Sequence, residues 1–195
     1  CGIADRSSIP GRFFVAPRVL PESRRRGVGT QLLHALGAHA GRLGFDRLAA
    51  HVDARDEGSV AFATRFGFEE VDRQVEFIRI IGDEPAEAPP PGIELVSIAR
   101  RPELLGEAYE AVGRAGYREL PLHARVEYTR DEWLREEATR PEGSLVALEQ
   151  GIVVGYAGML VHANGPAAAE HGLLVVRPDR RRRGLGTALR RAQLA

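Results

Sequence analysis

Apolar positions recur along the chain in two rhythms, one helical and one alternating. From Thr30 to Leu43 the residues Leu32, Leu33, Leu36, Ala40 and Leu43 fall at helical spacing, and Gly44 ends the run. Glu57 to Phe66 predicts a short helix stopped by Gly67. Pro102 to Val112 predicts a helix with proline in its first turn, and Arg130 to Thr139 another with Trp133 and Leu134 facing inward. Strands are predicted over Phe13–Leu20, where Pro17 implies a bulge or an edge, and over Phe45–Asp53. Val71–Ile81 predicts one or two further strands, followed by Ile93–Ile98 and Leu145–Glu149. A turn at Gln150-Gly151 leads to a strand over Ile152–Val161. A loop at Ala163-Asn164-Gly165-Pro166 precedes the last strand, Glu170–Val176. Strands interleaved with helices, with hairpins among them, predict an α/β fold with an α+β mixed sheet.

The chain also contains part of itself twice. Residues 19–33 read VLPESRRRGVGTQLL and residues 176–190 read VRPDRRRRGLGTALR, at an offset of 157 with nine of fifteen positions identical. Between the copies, residues 82–92 hold four prolines, which favour extended backbone and read as a linker. The expected organisation is two incomplete tandem units, residues 1–81 and 93–195, joined by a linker over 82–92. The chain opens on Cys1 and stops at Ala195 inside a predicted helix, as expected of a protein clipped at both ends.

Composition narrows the chemistry. The 195 residues carry 27 basic and 27 acidic side chains, so no overall charge draws the chain to nucleic acid or to an anionic membrane. No apolar run approaches the ~20 residues of a membrane span. A single cysteine, Cys1, forms no internal disulfide or thiolate metal site, and the cytosol is the expected compartment. All 27 basic residues are arginine. Without lysine there is no P-loop, no Schiff base and no kinase-type phosphate lysine.

In both copies a strand feeds Arg-x-x-Gly-x-Gly and a helix starts at the second glycine. The two segments are Arg24, Arg25, Arg26, Gly27, Val28, Gly29 and Thr30, and Arg181, Arg182, Arg183, Gly184, Leu185, Gly186 and Thr187. Glycine lets several backbone N–H groups converge, and a helix N-terminus adds unpaired donors and positive dipole. That is an anion site suited to phosphate or pyrophosphate. Each nearby arginine adds a charge-assisted hydrogen bond of about 1.5–3 kcal/mol. A dinucleotide fingerprint needs a third glycine where Leu32 and Leu189 stand, which disfavours NAD.

A strand with V-x-P followed by R-R-x-G-x-G-T-x-L resembles the coenzyme A pyrophosphate turn of the GCN5-related N-acetyltransferases (GNAT). Arg65-Phe66-Gly67-Phe68 is similar to the family's later G-F signature, and Val153-Val154-Gly155-Tyr156-Ala157-Gly158 to the G-x-x-G strand before the turn. The resemblance covers most of the chain in two pieces, a C-terminal half followed by an N-terminal half. It implies a GNAT-like acyl-CoA N-acyltransferase fold and acetyl-CoA as co-substrate, with no metal. It also implies a backbone oxyanion donor near Val19 or Val176, and a tyrosine on the short helix as general acid. The first unit departs from that pattern: Ala63 stands where the tyrosine is expected, Asp56 where asparagine is common, and the neighbouring Phe62 cannot donate a proton. Phe13 occupies the strand position that Glu170 holds in the second copy. Glu170, on the strand face expected to carry Gly172 and Leu174, is the candidate base, and Tyr156 a candidate lining of the acceptor pocket.

Asp53 and Asp56 read better as turn or cap residues than as catalysts. His34 and His39 lie roughly 140° apart on one helix and do not share a metal. His51, His123, His162 and His171 show no ligand spacing, which favours packing, and Trp133 reads as core. Two function classes follow. One is an acetyl-CoA-dependent N-acetyltransferase acting on a primary amine of a small molecule or peptide. The other is a non-catalytic acyl-CoA-binding or scaffold module built from a degenerate tandem. Nucleic-acid binding through the arginine runs lacks an aromatic stacking platform. The expected partners are a coenzyme A thioester and a small amine, with no nucleic acid and no membrane. Two partial copies also make pairing of the units, or a homodimer, an option.

Overall fold

The computed structural model describes residues 1–7, 9–82, 84–85, 87–121, 126–162 and 168–195. His123, the loop at 163–166 and positions 83 and 86 of the expected linker lie outside the described residues. The chain forms two compact units, Cys1–Val75 and Glu76–Pro121 with Glu127–Ala195. The described linker residues group with the second of these units.

The first unit holds β1 (Gly2–Arg6), β2 (Arg12–Pro17), α1 (Val28–Arg42), β3 (Arg47–Ala49) and α2 (Glu57–Arg65). β1, too polar to announce itself, pairs antiparallel with β2 from Gly2 opposite Pro17 to Arg6 opposite Phe13. β2 pairs parallel with β3 only from Arg12/Arg47 to Phe14/Ala49, so β3 is three residues long where Phe45–Asp53 was expected. The amphipathic α1 lays Leu33 and Ala40 on Phe13 and Val15, with Phe45, Leu48, Phe62, Phe66 and Phe68 around them. Asp56 caps α2, accepting from the Ser59 amide at 3.1 Å.

The strands expected over Val71–Ile81 do not form. Phe77 is 91% and Ile80 93% exposed, and among the described residues no strand pairs with this segment to take its backbone hydrogen bonds. Apolar character alone does not make a strand.

The second unit is an antiparallel sheet in the order β4 (Ile93–Ser97), β5 (Leu145–Glu149), β6 (Ile152–Val161), β7 (Ala169–Val176). α3 (Leu104–Ala108), a π-helical turn (Tyr109–Gly113) and α4 (Arg114–Arg118) run on without a break. With α5 (Arg130–Glu136) they cover one face, around a fully buried Trp133 whose indole N–H donates to the Leu105 carbonyl at 2.9 Å. A Cβ at Gly113 would lie 2.6 Å from that indole, so only glycine admits it. Leu134 is exposed, contrary to expectation: with Trp133 turned inward, the next residue sits about 100° round the helix. α6 (Leu185–Leu194) packs Leu185 and Leu189 on the other face, against Leu145, Ala147, Val154 and Ala157.

β7 is bulged. Ala157 faces Leu174 but Met159 faces His171, so β7 carries one residue more than β6 between those pairs. Leu174 and Val176 lie toward Gly186 of α6, and His171 also meets α6, through Gln193 and Arg190. Glu170, adjacent to His171, therefore points to the face opposite Leu174; the shared face expected from simple alternation is lost to the bulge. β2, its counterpart in the first unit, pairs with β1 without interruption.

Candidate active site

The two Arg–Gly turns adopt the same backbone. Each begins with one 3-10 turn, Pro21–Ser23 or Pro178–Arg180, whose proline supplies the required φ. Arg24 and Arg181 follow in extended conformation, at φ −68°, ψ 162° and φ −67°, ψ 163°. Arg25 and Arg182 are left-handed at φ 62° and 64°, and Gly27 and Gly184 at φ 80° and 81°. A non-glycine residue there costs about 1–2 kcal/mol, yet both copies retain it. Arg24 Nε donates to the Val19 carbonyl at 3.3 Å and Arg181 Nε to the Val176 carbonyl at 2.9 Å. Each arginine thus ties the end of its strand to the start of its helix.

That geometry aims donors outward. The first intrahelical bonds come from Gln31 to the Gly27 carbonyl and from Ala188 to the Gly184 carbonyl. The amides of Val28, Gly29 and Thr30, and of Leu185, Gly186 and Thr187, precede them, and neither helix has a side-chain cap. The strand adds another donor. Arg18 exchanges hydrogen bonds with Cys1, and the Arg177 amide bonds the Val154 carbonyl at 2.9 Å. Successive residues of an extended strand point their N–H groups to opposite sides. The amides of Val19 and Val176 therefore face away from the neighbouring strand, on the side where Arg24 and Arg181 cover their carbonyls.

The surroundings of the two turns differ. In the first unit Phe62 of α2 stands 3.4 Å from where a Gly29 Cβ would be, and Asp56 lies close enough to Arg24 to feel its charge. In the second, Arg181 pairs with Glu119 at 2.6 Å and Arg180 with Glu149 at 2.5 Å, with Arg183 3.9 Å from Glu149. Arg25, Arg26 and Arg182 are exposed. Glu170 is exposed on β7 opposite Leu160. Tyr156 does not line a pocket: it is fully buried against Trp133, and its hydroxyl donates to the Glu137 carbonyl at 3.0 Å. Asp53 holds Arg55 at 3.0 Å, while His34 and His39 pack edge-on against Phe66 and Phe13. Among the described residues no group of three or more His, Cys, Asp or Glu is placed to hold a metal ion, and no helix is long and apolar enough to cross a membrane.

A third set of polar groups, missed in the sequence, surrounds the β7 bulge: Glu137, Arg190 and Gln193. One signal was present for Glu137, which lies four residues after Trp133 and so on the same inward stripe.

The acetyltransferase (GNAT) family model matches residues 15–68 and 104–193, each range spanning one of the turns. The chain belongs to the GNAT family. It carries two GNAT regions, and members of this family are in general acyl-CoA-dependent acyltransferases. Among solved structures, a tandem GNAT protein from the clavulanic acid biosynthesis pathway, determined without acetyl-CoA, is similar at 24% identity and a TM-score of 0.60. The match covers 94% of this chain and 61% of that one, so this GNAT chain spans less than two thirds of that protein's length. No curated protein matches the chain in sequence.

Proposed function

We propose that this GNAT chain is an acetyl-CoA-dependent N-acetyltransferase of the cytosol that acts on a primary amine of a small molecule or peptide, with its chemistry in the second unit. The observation that carries this reading is an outward Val176 amide at the end of a strand that Arg181 ties to a helix N-terminus without a side-chain cap. The donor set fits a coenzyme A pyrophosphate: the amides of Leu185, Gly186 and Thr187 with Arg181, Arg182 and Arg183 would hold it. The same set in the first unit is Val28, Gly29 and Thr30 with Arg24, Arg25 and Arg26.

Acetyl transfer to an amine needs a proton acceptor, because a free alkyl amine with a pKa of about 10 is mostly protonated near neutrality. Glu170 takes that proton, directly or through water. The amine nitrogen then bonds to the thioester carbonyl carbon while the Val176 amide supports the developing oxyanion. The carbon–sulfur bond breaks, and the proton that the nitrogen sheds as it becomes an amide passes to the departing sulfur to give the thiol. The first unit supplies a second coenzyme-type turn, and Val19 offers the corresponding amide. It lacks the chemistry, since Phe13 is buried where Glu170 is exposed and Ala63 carries no proton.

Those two substitutions favour a second reading for the first unit alone, a non-catalytic acyl-CoA-binding or scaffold module. Turnover of acetyl-CoA with a panel of primary amines separates the readings. Amine-dependent thiol release supports the enzyme, and release no faster than background hydrolysis rejects it for this chain.

A further inference from the structure

β7 is out of step with β6 by one residue, and three side chains from two helices hold it there. Glu137, just past the last residue of α5, accepts from the Leu173 amide at 3.3 Å through Oε1. From α6, Arg190 donates to the Gly172 carbonyl at 3.1 Å. Gln193 donates to the carbonyls of Ala157 and Gly158 at 3.2 and 3.1 Å. These backbone groups sit where the extra residue interrupts the ladder. Glycine makes the room: a Cβ at Gly158 or Gly172 would lie 2.7 or 2.9 Å from Glu137 Oε2.

The carboxyl is a costly group to place there. Glu137 is 4% exposed, its Oε1 also accepts from the Tyr117 hydroxyl at 2.5 Å, and its Oε2 has no hydrogen-bond partner among the described residues. Apolar packing of similar volume is commonly at least as stable as a buried charge. In the first unit, β2 runs regularly and has Phe13 in the core at the position corresponding to Glu170.

We propose that Glu137 is a positioning residue of the second unit's acyl-transfer site. By taking the Leu173 amide it keeps β7 bulged, so that Glu170 turns to the α3–α5 face while Leu174 and Val176 stay on the α6 side and the Val176 amide faces outward. This rests on the acetyltransferase reading above. The titratable and charged groups facing Glu137 are Tyr117 and Tyr128 beside α5, Tyr156 on β6, and Arg190 on α6; His171 on β7 contacts Arg190. Burial pushes the Glu137 carboxyl above its ordinary value, opposed by the Tyr117 hydroxyl, the Leu173 amide and the Arg190 charge. Burial also raises the three phenols, which stay neutral, while burial and Arg190 lower His171.

The experiment combines amide NMR of the 195-residue chain with steady-state kinetics on acetyl-CoA and an accepted amine. The Leu173 amide resonance should follow a carboxyl titration above the usual glutamate range, and Glu137→Gln should abolish that dependence. The same variant should lower kcat by about a hundredfold, with acetyl-CoA affinity within twofold, and lose the part of the kcat profile that tracks the Leu173 titration. Tyr117→Phe removes a hydroxyl that lowers the carboxyl's pKa, so it should move the Leu173 titration and that part of the profile to higher pH. A Leu173 resonance indifferent to pH in the wild type, or wild-type pH dependence in Glu137→Gln, overturns the proposal. A wild-type chain that turns over no amine overturns the acetyltransferase reading instead, and the Leu173 resonance still decides the clamp.

Discussion

Arg181 Nε donates to the Val176 carbonyl oxygen over 2.9 Å, and five residues of turn are closed by that one bond. It covers the strand's outward carbonyl and leaves the neighbouring amide as the donor on that side. Arg181→Ala should weaken acetyl-CoA binding roughly tenfold or more by removing a charge-assisted donor and loosening the turn. Calorimetric affinity of the variant against wild type checks this, and an unchanged affinity would place the coenzyme elsewhere.

Gly27 and Gly184 test the backbone of the turns apart from their charge. Both are left-handed, and among the described residues an added Cβ would meet nothing within 4 Å at Gly27 and only Pro90 at 3.9 Å at Gly184. Gly27→Ala and Gly184→Ala should each cost about 1–2 kcal/mol through backbone strain alone. Urea unfolding midpoints measure it.

Glu170→Gln should lower kcat by roughly 10²–10⁴-fold while the acetyl-CoA affinity stays at the wild-type value. Equal losses in the two quantities would point to a folding defect instead of a lost base.

Glu137 also imposes a pH dependence on stability. Burial is the first cause that lifts its folded-state carboxyl above the ordinary glutamate range. The folded chain therefore holds this proton more tightly than the unfolded chain. The contribution is fully present below the unfolded pKa and is lost as pH rises through the folded one. Stability of Glu137→Gln should lack that decline, as the difference between the two urea midpoints across the acid-to-neutral range would show.

The segment that follows Val75 carries Phe77, Ile78 and Ile80, all at least 85% exposed. An apolar stretch so placed favours self-association. Phe77→Glu with Ile80→Glu should reduce concentration-dependent light scattering and move stability by no more than about 0.5 kcal/mol.

What was legible in the sequence was local. The helical spacing of Leu33, Leu36 and Ala40 announced α1, and the paired Arg–Gly runs announced two turns of one geometry. The anion-binding logic of those turns depends on glycine positions and a helix start, both written within ten residues. Long-range effects stayed hidden. The β7 bulge depends on Glu137, Arg190 and Gln193, which arrive from two helices, so alternation along the strand wrongly put Glu170 with Leu174. Tyr156 looks like a pocket residue until Trp133 closes over it. Val71–Ile81 has strand-like composition, but a strand is completed by its neighbour, which composition does not supply.

The most direct test of the central claim is calorimetric titration of acetyl-CoA into the folded 195-residue chain. Two outward-facing amide cradles predict saturable binding in the micromolar range, lost at the second site in Arg181→Ala. A folded chain that takes up no acetyl-CoA would contradict the assignment of both turns as coenzyme sites.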